Sequence, residues 1–183
     1  LMVAAEGFEK NNLEIFKMII EMKPDLNFMR GYDNKTALMT VLERGQVEKA
    51  RLLIESNADV NFMPKSGFAA IHCAARNEKS DEILKMLIEK KVDVNLQSSS
   101  GWTSLHFAVT NTNCFNNVKI LIENKADVNA VNKDGDTPLT LAASKGRENL
   151  QTIACLLANN AKITEKGLER IKDTEMKETI KFR

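Results

Sequence analysis

The sequence has almost no net charge and no long apolar run. Its 26 Lys and Arg residues nearly cancel its 25 Asp and Glu residues, which leaves a net charge of +1. Such a balance gives no broad electrostatic attraction to nucleic acid or to anionic lipid. No apolar stretch approaches the roughly 20 residues that cross a bilayer, and the opening residues lack the basic start and long apolar core of a secretory signal. We therefore expect a soluble intracellular protein, in the cytoplasm with the nucleus as the alternative, that binds no nucleic acid and inserts into no membrane.

Cysteine and histidine are also scarce. The cysteines are odd in number and have no short paired spacing, which argues against a disulfide framework and a zinc site: Cys73, Cys114 and Cys155. We expect them to be small residues that are buried or half-buried. The only histidines, His72 and His106, have no cysteine or carboxylate at the local spacing that a metal or acid–base site needs. The glycines stand singly, so no phosphate-binding loop occurs. We predict no catalytic residue, metal or cofactor.

What the sequence does contain is a repeat with a constant period. The tripeptide Asp-Leu-Asn or Asp-Val-Asn begins at four positions, each 34 residues after the one before: Asp25, Asp59, Asp93 and Asp127. The same interval separates three glycines: Gly67, Gly101 and Gly135. Self-similarity at a fixed period indicates a stack of supersecondary units rather than a closed globule.

The clearest copy of the unit covers 132–161 and reads NKDGDTPLTLAASKGRENLQTIACLLANNA. Gly135 lies where a tight turn needs a positive φ. Thr137 and Pro138 then start a helix, because the hydroxyl accepts an orphan amide hydrogen bond and Pro at the first helical position misses no N–H. This short apolar helix ends near Gly146. The second helix is apolar over more than one stripe, which predicts burial between neighbours on both sides.

This pattern closely resembles the ankyrin repeat, whose signature is Gly-x-Thr-Pro-Leu-His, then Ala-Ala, a Gly and a closing Ala-Asp-Val-Asn. Three graded copies begin at the periodic glycines, and a weaker copy begins at Asn34. Thr140 replaces the motif's His in the last copy, Ser104 replaces Pro in the copy before it, and Ala69 and Ala70 replace Thr-Pro in the copy before that. The resemblance covers most of the chain. It implies an all-α repeat solenoid of stacked ankyrin repeats, with helix-turn-helix units and β-hairpin-like fingers.

Several structural expectations follow from this resemblance. His72 and His106 occupy the motif position whose His, in the family, ties the turn of its own repeat to the next by hydrogen bonding. A tetratricopeptide array shares the period, but its units lack a Gly-containing extended segment, and 127–136 is poorly helical. The apolar patterns predict these helices: 13–22, 37–44, 47–56, 70–76 and 80–90.

We expect one elongated domain over 1–183, made of a partial repeat and complete repeats, at 1–27 and about 28–61, 62–95, 96–129 and 130–164. Because the chain begins inside a first helix, we expect it to be a fragment. The charged segment 165–183 is predicted to cap the stack, since an end repeat covers the last apolar interface with a polar exterior. A helical binding tail is the alternative for this segment.

The predicted binding positions are the finger tips and the exposed side of the first helices, which in this architecture line one concave surface. Trp102 and Tyr32 are the only Trp and Tyr, and both fall in fingers, which suggests interface anchors. The competing interpretation is that Trp102 and Phe68 pack along the neighbouring finger. The predicted partner-binding residues are Met29, Tyr32, Met63, Lys65, Phe68, Arg76, Gln97, Ser99, Trp102, Asn111, Lys133 and Asp136.

The function implied is that of a monomeric, non-enzymatic scaffold that binds a partner protein or peptide on its concave face. Two alternatives stay open. The repeats are one segment of a larger enzyme or channel, or the chain is the substrate of an asparaginyl hydroxylase. The second alternative arises because the family's Asp-Val-Asn asparagines can be hydroxylated, and three residues match that position: Asn61, Asn95 and Asn129.

Overall fold

The computed structural model describes residues 1–6, 12–29, 34–171, 177, 178 and 180, and these residues contain helices and no strand. The first helices of successive pairs are α1 (Met2–Glu6), α3 (Ala37–Glu43), α5 (Ala70–Arg76), α7 (Ser104–Val109) and α9 (Pro138–Ser144). The second helices are α2 (Asn12–Glu21), α4 (Val47–Glu55), α6 (Asp81–Glu89), α8 (Phe115–Glu123) and α10 (Leu150–Ala158). A further helix, α11 (Glu165–Arg170), follows the last pair. The helices predicted from the sequence are confirmed to within one residue at each end.

The helix pairs stack in two layers. In one layer, each first helix from α1 to α9 packs against the first helices of the neighbouring pairs, and α11 continues this layer by packing on α9. In the other layer, each second helix from α2 to α10 packs against its neighbouring second helices. Leu53, Leu87 and Leu121 recur at the repeat period on the second helices and are each 0% exposed. Burial of one such leucine stabilises the fold by about 1.5–3 kcal/mol. The core therefore runs between units, and the predicted helical solenoid is confirmed.

Threonine side chains begin most of the first helices. The Thr137 hydroxyl accepts a hydrogen bond from the Thr140 N–H at 3.3 Å, and Pro138 occupies the first turn, as predicted. Thr36 and Thr103 cap α3 and α7 in the same way. These caps satisfy amide groups that a helix start leaves without a partner.

The extended fingers between the helix pairs turn at glycines with positive φ. Gly67, Gly101 and Gly135 have φ values of 67°, 77° and 84°, which confirms the predicted turn. The middle fingers also bond to each other through their backbones, since the Ser99 N–H donates to the Ser66 carbonyl at 2.9 Å. A regular spacing of the units follows from these finger-to-finger bonds.

Helix α11 covers the last pair by packing on α9. Thr164 caps α11, and its hydroxyl donates to the carbonyl of Gly135 at 3.0 Å. Ile171 and Ile180 are buried, which agrees with a capping role for this part of the chain. Residues 172–176, 179 and 181–183 of the predicted cap lie outside the described residues.

Candidate functional site

A groove of about 630 Å³ lies beside the carboxyl ends of α5, α7 and α9. Its lining is contributed by these helices and the segments around them: Arg76, Trp102, Phe107, Thr110, Asn111, Thr112, Lys145 and Glu148. A smaller recess of about 240 Å³ is lined by Glu43, Phe68, Cys73, Arg76 and Asn77. Arg76 belongs to both, so the two cavities adjoin. We refer to the two together as the inner groove.

Three aromatic rings form a continuous row along the inner groove. The ring centroids of Trp102 and Phe107 are 5.0 Å apart, and Phe107 meets Phe68 edge-to-face, also at 5.0 Å. All three side chains are half-buried. Because Phe68 comes from the finger before α5 and Phe107 from α7, the row crosses from one unit to the next.

His72 lies beneath this row and fixes the finger before α5. Its Nδ1 atom accepts a hydrogen bond from the Ala69 N–H at 2.9 Å. Its Nε2 atom therefore carries the proton and donates to the Leu96 carbonyl in the next unit at 2.9 Å. One imidazole thus joins two successive units, which is the role that the resemblance implied.

His106 makes the same two connections one unit later. Its Nδ1 accepts from the Thr103 N–H, and its Nε2 donates to the Asp136 carbonyl, each at 3.1 Å. Burial lowers the pKa of both His72 and His106, against a smaller opposing effect of the bonds to backbone carbonyls. At neutral pH both rings are uncharged, so the aromatic row has no positive charge beneath it.

Asparagine amides bind backbone carbonyls at the ends of the first helices. Each donates to the first helix of the preceding unit: Asn77 to Leu42 at 3.1 Å, Asn111 to Arg76 at 3.2 Å, Asn117 to Ala75 at 3.1 Å, and Asn149 to Val109 at 2.9 Å. The Thr110 hydroxyl donates to the Phe107 carbonyl at 2.7 Å. These polar groups are therefore already engaged within the fold. Three charged side chains also line the groove and are exposed to a ligand: Arg76, Lys145 and Glu148.

Among the predicted contact residues that the structure describes, Asp136 is the one that is buried, so its expected exposure is wrong. Its side chain is only 2% exposed, because Asn132 folds back beneath the finger and accepts a hydrogen bond from the Asp136 N–H at 2.9 Å. Trp102 and Phe68 are half-buried rather than fully exposed, and Phe68 does pack on Phe107 of the next unit. Ring packing on the floor of the inner groove replaces the projecting tips that the sequence suggested.

The other predicted contact residues divide into two groups. Arg76 is exposed and Asn111 is half-buried, and both line the inner groove beside Trp102. A second group is exposed in the fingers, away from the lining of the inner groove: Met29, Met63, Lys65, Gln97, Ser99 and Lys133. Tyr32 lies outside the described residues. Binding by any of these residues stays a prediction.

Phe107, Lys145 and Glu148 line the inner groove but were not among the predicted contact residues. The helix period offered a signal for Phe107, since it follows the buried His106 and turns away from the core that Leu105 and Ala108 enter. Lys145 stands one repeat period after Asn111, so the period offered a signal for it as well. Glu148 lies beyond the helix end, where the pattern carries no directional information.

Two of the three asparagines considered as hydroxylation sites, Asn95 and Asn129, link the units. The Asn95 amide donates to the Lys125 carbonyl at 3.1 Å and its Oδ1 accepts from the Asp127 N–H at 2.7 Å. Asn129 makes the equivalent bonds to the carbonyl of Asn160 and the N–H of Lys162. An enzyme that modifies either side chain has to act on an amide group that is engaged in hydrogen bonds between neighbouring units.

The thiols and the remaining titratable groups show no reactive arrangement in the described part of the chain. Burial raises the pKa of the Cys114 thiol to about 11 and also raises those of Cys73 and Cys155. A thiol with a raised pKa is a poor nucleophile at neutral pH. Across the described ranges no three His, Cys, Asp or Glu residues form a group that could hold a metal ion. The same ranges include no helix with the length and apolarity needed to cross a membrane.

The stacked helix pairs, glycine-turned fingers and histidine links define a helical repeat protein. A family model described as ankyrin repeats (3 copies) matches residues 1–98 and again 79–167. The chain therefore belongs to the ankyrin-repeat family. Domains of this family generally mediate protein–protein interactions and are typically non-catalytic. The chain matches none of the curated proteins.

Proposed function

We propose that the chain is a non-enzymatic scaffold whose inner groove binds a segment of a partner protein. The observation that carries this proposal is the row of half-buried rings that runs through the cavity between charged side chains. Half-buried aromatic rings offer large contact areas with little loss of conformational entropy, and they are frequent energetic anchors of protein interfaces. The exposed finger side chains would extend the contact on the concave side.

The construction of the groove supports this role. Its floor and walls are held by hydrogen bonds between units, such as those of His106 and Asn111. A site whose shape exists before binding loses less free energy to ordering than a flexible site does. The cavity volume also falls in the range of about 300–1,000 Å³ that ligand-sized groups occupy.

Trp102 offers a direct test, because it is the only tryptophan of the chain and it lines the groove. The experiment displays a random library of peptides without tryptophan and selects those that bind the whole chain. We expect most selected peptides to change the emission of Trp102 and to lose at least about tenfold in affinity on Phe107→Ala. Lys119→Ala, on the exposed side of α8, is the matched control and should leave affinity unchanged.

Two variants of Trp102 distinguish a loss of peptide binding from a loss of folding. Trp102→Phe keeps an aromatic ring beside Phe107, whereas Trp102→Ala removes it. We expect only the alanine variant to lose the selected peptides, with a modest loss of stability because the indole is half-buried. Selected peptides that bind every groove variant like the wild type, and leave the tryptophan emission unchanged, would show that the site lies elsewhere.

The hydroxylase-substrate alternative is a separate hypothesis about Asn61, Asn95 and Asn129. Intact-mass analysis of the chain from cells that contain an asparaginyl hydroxylase tests it. A mass without added oxygen, with an active hydroxylase shown in the same cells, rejects it. The sequence of the full-length natural chain tests whether the repeats are one segment of a larger enzyme or channel.

A further inference from the structure

The charges that line the inner groove are unequal in sign and in availability. Arg76 and Lys145 are cations, Glu148 is an anion, and the adjoining recess adds Glu43. Glu43 accepts a hydrogen bond from the Lys35 ammonium at 2.8 Å, so its charge is already balanced within the fold. Among the described residues, no group of opposite charge lies within salt-bridge distance of Arg76, Lys145 or Glu148. The groove therefore offers two cations and one anion to a ligand.

The two cations flank the aromatic floor. Arg76 ends α5 and Lys145 follows α9, while Phe107 belongs to α7, which packs against both α5 and α9. Packed helices lie about 8–10 Å apart, so long side chains at the carboxyl ends of the two outer helices can reach the space above the middle one. A negative group that enters above α7 can be approached by a cation from either side.

Arg76 is also not needed to complete the end of its own helix. The Arg76 carbonyl already accepts hydrogen bonds from the Asn111 amide at 3.2 Å and from the Cys114 thiol at 3.3 Å. The Asn117 amide donates to the Ala75 carbonyl at 3.1 Å. With these carbonyls satisfied, the guanidinium is available to bind a carboxylate, and its fork of donors suits a two-oxygen acceptor.

The floor selects a different kind of group. Trp102 and Phe107 present partly exposed rings, and the buried His106 beside them is neutral at neutral pH because burial lowers its pKa. An apolar or aromatic side chain that packs on these rings removes further apolar surface from water. The walls favour negative charge, whereas the floor favours an apolar side chain.

We infer that the inner groove selects a short extended peptide segment in which a Glu or Asp lies close to an aromatic or large apolar residue. The carboxylate meets Arg76 and Lys145, and the apolar side chain packs on Trp102 and Phe107. This inference rests on the proposed function and adds the chemistry of the partner to it. The rival is a basic segment, with a cation on the Trp102 face beside Glu148, and the experiment decides between them.

Defined peptides in place of selected ones test the inference. The probes are tryptophan-free peptides in a Gly-Ser background, in which Glu, Gln or Lys stands one to three residues from Phe or Ala. Binding to the whole chain is followed by Trp102 emission and by fluorescence anisotropy of labelled probes. We expect a Glu-Phe probe to bind best, and replacement of either Glu by Gln or Phe by Ala to weaken binding about tenfold. Added salt should weaken the Glu-Phe probe more than the Gln-Phe probe, because salt screens the charge pair.

Charge reversal identifies the residues that select the acid. The double variant Arg76→Glu, Lys145→Glu should lose the Glu-Phe probe and gain preference for the Lys-Phe probe. The milder double variant Arg76→Gln, Lys145→Gln should abolish the preference for the Glu-Phe probe without creating one for the Lys-Phe probe. This variant replaces the charge-reversed one in the test if the charge-reversed one fails to fold. Lys119→Glu with Lys85→Glu, on the exposed side of the second helices, adds the same charges away from the groove and should change neither probe.

The outcomes separate the inference from the proposed function. Tighter binding of Lys-Phe, or equal binding of Glu-Phe and Gln-Phe, overturns the inference. If those probes still depend on Phe107, the groove remains the binding site and the proposed function stands. Binding that no groove variant changes overturns both. No binding of any defined probe overturns the inference, while the library-selected peptides still decide the proposed function.

Discussion

The middle fingers and the last finger of the stack differ in what they touch. A Cβ atom added at Gly67 would lie 2.7 Å from the Ser99 backbone nitrogen, and one at Gly101 would lie 3.0 Å from the backbone nitrogen of Lys133. At Gly135 the nearest atom would belong to the flexible side chain of Lys166, at 3.2 Å. The middle fingers therefore pack backbone against backbone, whereas the last finger is covered by a side chain.

The same contrast appears at the histidine position of the motif. His72 and His106 bridge two units each, but the equivalent residue in the last unit is Thr140. Gly167 of α11 packs so closely on Thr140 that a Cβ atom at Gly167 would collide with the threonine hydroxyl. The departure from the family motif thus has a physical reason, because α11 occupies the space that an imidazole would need.

In place of a histidine bridge, threonine hydroxyls join the last unit to its cover. The Thr137 hydroxyl donates to the Lys162 carbonyl at 3.1 Å, and the Thr164 hydroxyl donates to the Gly135 carbonyl at 3.0 Å. Ring-mediated joints between units are thus found where the inner groove lies. The end of the stack is closed by smaller contacts.

The largest expected effect is that of Gly67→Ala. Both the positive φ of 67° and the contact with the next finger disfavour a Cβ atom there, so we expect a loss of about 3 kcal/mol in the free energy of unfolding. Gly146 also has a positive φ, of 70°, but no atom lies within 4 Å of the site of its Cβ. Gly146→Ala should therefore lose only about 1–2 kcal/mol. Urea unfolding compares the two variants, and equal losses would show that the fingers do not pack tightly.

A smaller loss is expected when the histidine motif is restored in the last unit. Thr140→His places a ring against Gly167 and should destabilise the end of the stack by about 1–3 kcal/mol through overpacking. Hydrogen exchange of the α11 amides should increase, while exchange in α5 and α7 stays as in the wild type. Ser144→His, at the exposed end of the same helix, is the control. A Thr140→His variant of unchanged stability would contradict our account of the motif.

The smallest effect is a pH dependence confined to the middle of the stack. Burial lowers the folded-state pKa of His72 and His106 below the unfolded value of about 6.5, so on acidification the unfolded chain binds protons first. The contribution of the two neutral histidines to the free energy of unfolding is fully present above the unfolded pKa. It falls as the pH drops through the unfolded pKa toward the folded pKa values, with a limiting slope of about 1.4 kcal/mol per proton and pH unit. Imidazole titration by NMR and urea unfolding at several pH values measure this dependence, and histidines that titrate above 6.5 would contradict it.

Local patterns predicted the fold well because each depends on a few neighbouring residues. Thr137 and Pro138 begin a helix wherever the chain allows one, and Gly101 turns with a positive φ in any finger of this shape. The solvent exposure of individual side chains was harder to predict than the helices and turns. Asp136 follows Gly135 in a polar finger and resembles an exposed residue, but the bond from its N–H to Asn132 draws it inward.

The candidate site was predictable only in part. Arg76, Trp102 and Asn111 were expected at exposed positions, and all three do line the inner groove. Lys145 was signalled by the repeat period, since it stands one period after Asn111. The convergence on Phe107 was not predictable, because the rings that meet there come from two units. The bonds from loop asparagines to the preceding helix were equally hidden, since each joins residues more than thirty positions apart.

By itself, the amino-acid sequence determined the repeat period, the helices, the glycine turns and the family, since all of these depend on residue types at short, regular spacing. Only the tertiary structure decided which aromatic rings meet, which charged groups stay without an ion pair beside them, and why one unit has a threonine where two others have histidine. Those features arise between units. Stacking brings together side chains from units one or two periods apart, and their packing and hydrogen bonds exist only after the units have docked.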